Sequence, residues 1–177
     1  MRLDDLPRAT SIFIDANIFI YHFTGASGEC TRFLARCEAG ELAGVTSVSV
    51  LLEVLHRLMM LEAVRGGSVR PPNVLQKLRK RPEAVRTLSE YYTHTMTIPE
   101  MGISVRALPE DVLATSQRVR EEHGLLVGDS LLVAAMRAEG IGTLATHDAD
   151  LRRVKEITAA VPGDVEIGSP SSGSLSK

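Results

Sequence analysis

Apolar and polar positions change period repeatedly along the chain, and the changes mark an alternation of strands and helices. Ile12, Phe13 and Ile14 form a continuous apolar run that stops at Asp15 and Asn17, which predicts a buried strand over Ser11 to Asp15. A carboxylate at the end of such a strand cannot follow it into the core and is left on a rim. Ala16 to Phe23 then predicts a short helix, broken at Gly25 and Gly28, and Glu29 to Glu38 a second one closed by Gly40. Glu41 to Thr46 suits a strand. From a cap at Ser47 or Ser49, a long helix runs to about Arg65; it is apolar over most of its circumference, with a narrow polar stripe of Ser49, Glu53, His56 and Arg57. Beyond the turn signals Gly66, Gly67, Pro71 and Pro72, helices are predicted over Asn73 to Lys80 and, after Pro82, from Glu83 to about His94.

Ile103 to Leu108 alternates like a strand with one partly exposed face. Pro109 opens a helix that ends at His123 and Gly124, and Ser130 to Glu139 is a helix rich in small residues, begun by Gly128 and Asp129. Ile141 to Ala145 suits a short buried strand, Asp150 to Val154 one helical turn, and Val165 to Ile167 an edge strand. Strands alternating with helices predict an α/β fold, a three-layer α/β/α arrangement around a mostly parallel sheet of four to five strands. One domain over residues 1–167 and a flexible Ser/Gly-rich tail over 168–177 are expected.

Composition narrows the picture only slightly. The 177 residues are enough for one core, and 44% hydrophobic with 24% charged residues argues against extended disorder. The net charge of −2 neither favours nor excludes nucleic acid, so the distribution of charge has to decide. No apolar run reaches the roughly 18 residues of a membrane span, and the first residues do not read as a signal peptide, so a cytoplasmic protein with no membrane partner is expected. Cys30 and Cys37 are about two helical turns apart, too far for a disulfide, and read as core thiols.

The acids carry the chemistry. Asp15 ends the first strand, Glu53 lies about a turn into the helix after the second, Asp129 opens the helix before the Ile141 strand, and Asp148 follows that strand. In a parallel sheet these positions approach the carboxyl-end rim, where ligands bind in open α/β folds. Carboxylates brought together repel and take up protons unless a cation offsets their charge. Mg²⁺ or Mn²⁺, which prefer oxygen ligands, would do so and would suit phosphodiester hydrolysis; no Cys or His cluster has zinc-ligand spacing. Each acid has a plainer role open to it: Glu53 pairing with Arg57 four residues on, Asp129 capping its helix, Asp148 and Asp150 bonding within a turn. Asp15 is the hardest to explain so.

Taken together, Ile14-Asp15-Ala16-Asn17, Ser47 to Glu53 on a helix, Leu125 to Asp129 opening a helix, and Leu144 to Leu151 resemble the PIN-domain ribonucleases, with the VapC-type toxins as the nearest subgroup. The resemblance covers about Ile12 to Val154. It implies a metal-dependent endoribonuclease leaving 5′-phosphate and 3′-hydroxyl ends, held inactive by a VapB-type antitoxin, and a homodimer. Carried over by position, Asp15, Glu53, Asp129 and Asp148 would be the metal-binding acids, Asn17 and Thr146 supporting polar groups, and Asp150 a further candidate.

An acidic site repels RNA, so cations elsewhere must hold the backbone. Arg65 to Arg86 is the only strongly basic stretch, and Lys77, Arg79, Lys80 and Arg81 within it are candidates for phosphate contact; a solvated helical face is the alternative. His56, His94, His123 and His147 have no partner at ligand spacing. Leu58 to Leu61 extend an apolar helix face, either core or a groove for a second chain. Two other functions remain open: a noncatalytic RNA-binding or scaffold domain of the same fold, and a phosphotransfer enzyme with Asp15 as nucleophile. The latter usually needs a second acid where Asn17 stands.

Overall fold

The structure, a computed structural model, describes residues 1–165. Its order is β1 (Ser11–Ile14), α1 (Ala16–Thr24), α2 (Gly28–Glu38), β2 (Ala43–Ser47), α3 (Val48–Arg65), α4 (Val74–Arg79), α5 (Pro82–Thr87), α6 (Glu90–Thr97), a 3-10 turn at Pro99–Met101, β3 (Ser104–Arg106), α7 (Glu110–His123), α8 (Val127–Glu139), β4 (Thr143–Ala145), α9 (Ala149–Arg152) and β5 (Thr158–Ala160). The five strands form one parallel sheet in the order β3-β2-β1-β4-β5, flanked by helices in the expected α/β/α layering.

Ile12, Phe13 and Ile14 are wholly buried, and each such side chain contributes roughly 1.5–3 kcal/mol, which is why the most apolar strand lies in the centre of the sheet. The chain builds outward from β1 through β2 to β3 and then returns to the other side of β1 with β4. Asp15 and Thr146, the residues after β1 and β4, therefore border the crevice where the strand order reverses, the usual ligand position in such sheets.

One predicted element is corrected and one strand is added. The helix expected from Glu83 to about His94 is two helices, α5 and α6, interrupted at Leu88 and Ser89. The Glu62 side chain of α3 accepts hydrogen bonds from the backbone N–H groups of Ser89 (2.9 Å), Glu90 (3.2 Å) and Tyr91 (2.8 Å). This starts α6 with a carboxylate supplied from a distant part of the sequence. Burial pushes the Glu62 carboxyl up, but these donors outweigh it and hold the group below its ordinary value. Glu62→Ala is expected to destabilise the fold by about 1–2 kcal/mol, as loss of a helix cap does, with amide exchange accelerated first in α6; urea unfolding and hydrogen exchange would check it.

The added strand is β5, at the sheet edge beside β4; the Val165 to Ile167 strand expected from the sequence falls mostly outside the described residues. Val165 follows β5 in a bend, and residues 166 and 167 lie outside the described residues, as does the predicted 168–177 tail. Thr158, Ala159 and Ala160 carry too little apolar pattern to announce a strand; pairing with β4 decides it.

The termini of the described chain are clasped to α2. Glu29, fully buried, accepts from Arg2 and from the backbone of Asp4 and Gly163, and Asp164 accepts from Ser27 and the Glu29 backbone. Cys30 and Cys37 are buried free thiols pushed up to about 12 by burial, which makes them inert core residues. Among the described residues, no helix is long and apolar enough to cross a membrane.

Candidate active site

The rim is built on local hydrogen bonds that follow directly from the sequence after β1. Asp15 is the N-cap of α1, and its Oδ1 accepts from the Ala16 N–H at 2.7 Å. Its Oδ2 accepts from Asn17 Nδ2 at 2.6 Å and from the Thr146 hydroxyl at 2.6 Å. Thr146 Oγ1 in turn accepts from the Asp148 N–H (3.0 Å), and Asn17 Oδ1 accepts from the His147 N–H (3.1 Å). The segment after β1 and the segment after β4 are thus laced together through Asp15, Asn17 and Thr146. The Asp15 N–H donates to the Ala145 carbonyl at 3.0 Å, which extends the sheet pairing up to the carboxylate.

Asp15 is only 7% exposed. Burial raises its pKa most; the Thr146 hydroxyl and the Ala16 N–H favour the charge, while the charges of Glu53 and Asp148 oppose it, and the outcome is about 7. Asp129 is raised to about 6, first by burial and then by Asp148, Glu53 and Asp150, with Arg153 working the other way. Asp15 and Asp129 therefore each lie within Coulombic reach of Glu53 and Asp148.

Their plainer roles separate on inspection. Asp129 sits inside the first turn of α8, whose N-cap is Leu126, so it is not capping the helix. Asp148 does cap: its Oδ1 accepts from the Asp150 N–H at 2.7 Å at the start of α9. Asp150 is exposed and pairs with Arg153 at 3.5 Å. Glu53 is an exposed residue of α3. Ser47 takes the N-cap position of α3 without making a side-chain cap; its hydroxyl instead lies 2.9 Å from that of Ser49.

Two participants were not legible as such. Arg153, at the C-cap of α9, favours the charged form of Asp129. Tyr21, one face of α1 away, places its hydroxyl 3.1 Å from His147 Nδ1, with the rings edge to face. An Asp150–Arg153 spacing of three was the only sequence signal for the first; the Tyr21–His147 pair spans the whole fold and leaves none. The basic candidates divide as well. Lys77 Nζ donates to the Arg70 carbonyl and Arg81 to the Ser68 carbonyl, whereas Arg79 and Lys80 make no such bond to that loop.

The candidate acids, with Asn17 and Thr146, offer oxygen, a donor set that fits a hard divalent ion better than a thiolate- or imidazole-seeking one. The raised Asp15 and Asp129 carboxyls register the repulsion that a cation there would relieve. Among the described residues, no three Asp, Glu, His or Cys side chains stand close enough to ligate one ion, so the rim is an acidic cluster and not a closed ligand shell.

A parallel sheet with an acid at the crossover crevice and further acids on the flanking helices defines a class of α/β domain with a carboxylate rim. The PIN domain family model matches residues 12–157, and the chain belongs to that family. Ribonuclease VapC2 of Methanocaldococcus jannaschii is 23% identical over 144 residues, covering 81% of this chain and 88% of the relative. Among solved structures, VapBC2 from Rickettsia felis bound to a promoter DNA fragment is similar with a TM-score of 0.55 at 13% identity, covering 86% of this chain and 99% of that one. VapC20 of Mycobacterium tuberculosis, a sarcin-ricin-loop-cleaving toxin, is similar with a TM-score of 0.54 at 15% identity, covering 80% and 92%. A toxin-antitoxin complex from Klebsiella pneumoniae gives 0.52 at 20% identity, covering 83% and 95%.

Proposed function

We propose that the protein is an endoribonuclease of the VapC toxin type, dependent on Mg²⁺ or Mn²⁺, which works as a homodimer and is restrained by a VapB-type antitoxin. The observation that carries the reading is Asp15: a carboxylate buried at the crossover crevice, gripped by Asn17 and Thr146, and destabilised by neighbouring acids. An aspartate that only caps a helix needs no further acids around it. This one is surrounded by others of its own charge. The VapC name of the M. jannaschii relative and the toxin-antitoxin structures of the same fold support the activity and the antitoxin partner.

Asp15, Glu53, Asp129 and Asp148 would hold the metal, with Asp150 at the margin. When bound, the ion supplies an acidified water and neutralises charge developing on the phosphate. Asn17 and Thr146 fix the Asp15 carboxylate in one orientation, so that no reorganisation is needed when substrate arrives. Asp148, anchored through its own N–H to Thr146 and through its carboxylate to α9, is positioned by the same network.

The test is cleavage of a mixed RNA pool by purified protein freed of any co-purifying partner, with Mg²⁺, with Mn²⁺ and with chelator. Metal-dependent cutting that falls by roughly 10²–10³ in Asp15→Asn is expected. A folded protein that binds RNA but never cuts it would establish the noncatalytic reading instead.

A further inference from the structure

The basic stretch is organised by a small hydrophobic core of its own, separate from the main one. Met60 and Ala63 of α3 pack with Val69, Val74 and Leu78, which folds the 66–81 segment back against the end of α3. The result is a concavity of about 380 Å³ lined by Gly67, Ser68, Val69, Arg70, Lys77, Lys80 and Arg81. Four cations face it and no acid does. Among the described residues, none of the four is in an ion pair, although Arg65 nearby pairs with Glu90. Lys77 and Arg81 are fixed by one bond each to a loop carbonyl and keep further N–H donors to offer. Arg79 is different: it lines a separate apolar groove with His56, Met59 and Leu75.

Gathering four like charges in one hollow costs repulsion that an anionic occupant would relieve. We propose that this hollow, formed by Arg70, Lys77, Lys80 and Arg81, is a second RNA site that grips backbone phosphates away from the acidic rim. The inference rests on the ribonuclease reading above. An acidic protein segment is the less suited occupant, because the hollow offers only Val69 as an apolar anchor, whereas phosphates need charge and donors alone.

Position adds the specificity. Arg65 lies about 18 Å along α3 from Glu53, at 1.5 Å per residue, and the hollow is formed by the residues that follow. Along α3 that is about five nucleotides of a helical strand at about 3.4 Å each, so an RNA engaging both places spans several nucleotides. The hollow therefore selects long or structured RNA over short fragments, and excludes Arg79 from the phosphate-binding set.

The test compares Arg70→Gln/Lys80→Gln, which leaves both loop-fixing bonds intact, with Arg8→Gln/Arg32→Gln, an equal loss of charge elsewhere. Each is made in the full chain carrying Asp15→Asn, and its fold is verified by thermal melting. Binding of a fluorescein-labelled RNA of about 20 nucleotides is followed by anisotropy across a salt series. The pocket variant is expected to lower the slope of log affinity against log salt by about 1.4, two phosphate contacts, and the control to leave it unchanged.

Equal slopes in the two variants would overturn the proposal, as would loss of binding to a poly-glutamate peptide with RNA binding intact. With Asp15 restored, the pocket variant is expected to show a larger rise in KM on the long RNA than on one of about four nucleotides. If no RNA is cut by any form while the slope changes as expected, the nuclease reading fails and the RNA site stands. If cutting is metal-dependent and the slope does not change, the reverse holds.

Discussion

Asp15→Asn is expected to make the metal-free protein more stable at about pH 8 and, at the same time, blind to Mg²⁺. The Asp15 carboxyl is raised from 3.8 to about 7 on folding, chiefly by burial and by its acidic neighbours. Between these values the folded state holds a proton that the unfolded state has released, so stability is highest below about pH 4 on this account and declines as pH rises towards 7. The ceiling on the cost is about 4 kcal/mol, at about 1.4 kcal/mol for each unit of pKa.

Asn removes the charge but has a single oxygen, so it cannot accept from the Ala16 N–H as well as from Asn17 and Thr146, and a net gain of about 1–2 kcal/mol remains, a rise of about 3–6 °C in Tm. The gain should shrink at about pH 5, where the wild-type carboxyl is already protonated. In the wild type, Mg²⁺ at a hundred times its Kd should add about 2.7 kcal/mol; in the variant it should add almost nothing. Thermal melts at the two pH values, with and without the ion, give all four quantities. A variant less stable than wild type at about pH 8 would sink the claim that Asp15 is held against repulsion.

The second large effect is expected at Thr146. Its hydroxyl donates to Asp15 Oδ2 and accepts from the Asp148 N–H, so it joins two of the candidate acids through one atom. Thr146→Val keeps the volume, takes the Asp148 N–H's acceptor away and leaves Asp15 Oδ2 with Asn17 as its one remaining side-chain donor, at a cost of about 1–3 kcal/mol. RNA cleavage should fall about 10–100-fold through misplacement of Asp15 and Asp148, and Thr146→Ser should restore most of it. Normal cleavage by a folded Thr146→Val would mean that the hydroxyl only fills a core position.

Much of this is readable from order along the chain, because its causes are local. The Ile12 to Ile14 run could only be a buried strand, and an acid following it had to emerge at a sheet edge. α1 and α2 begin and end within a residue or two of their signals, since caps and glycines act on immediate neighbours. What failed to announce itself is what depends on residues far apart in sequence. The break between α5 and α6 is made by Glu62, and β5 exists because β4 offers it an edge.

The candidate site divides along the same line. The sequence by itself determined which residue types would stand after each strand, and with them the acidic character of the rim and the family. Tertiary structure alone decided that Thr146 would reach Asp15, and that Arg79 would turn away from Lys77, Lys80 and Arg81. Periodicity reports the face on which a side chain lies. Which other side chain meets it there depends on how helices pack and strands register, a balance of contacts summed over the whole core.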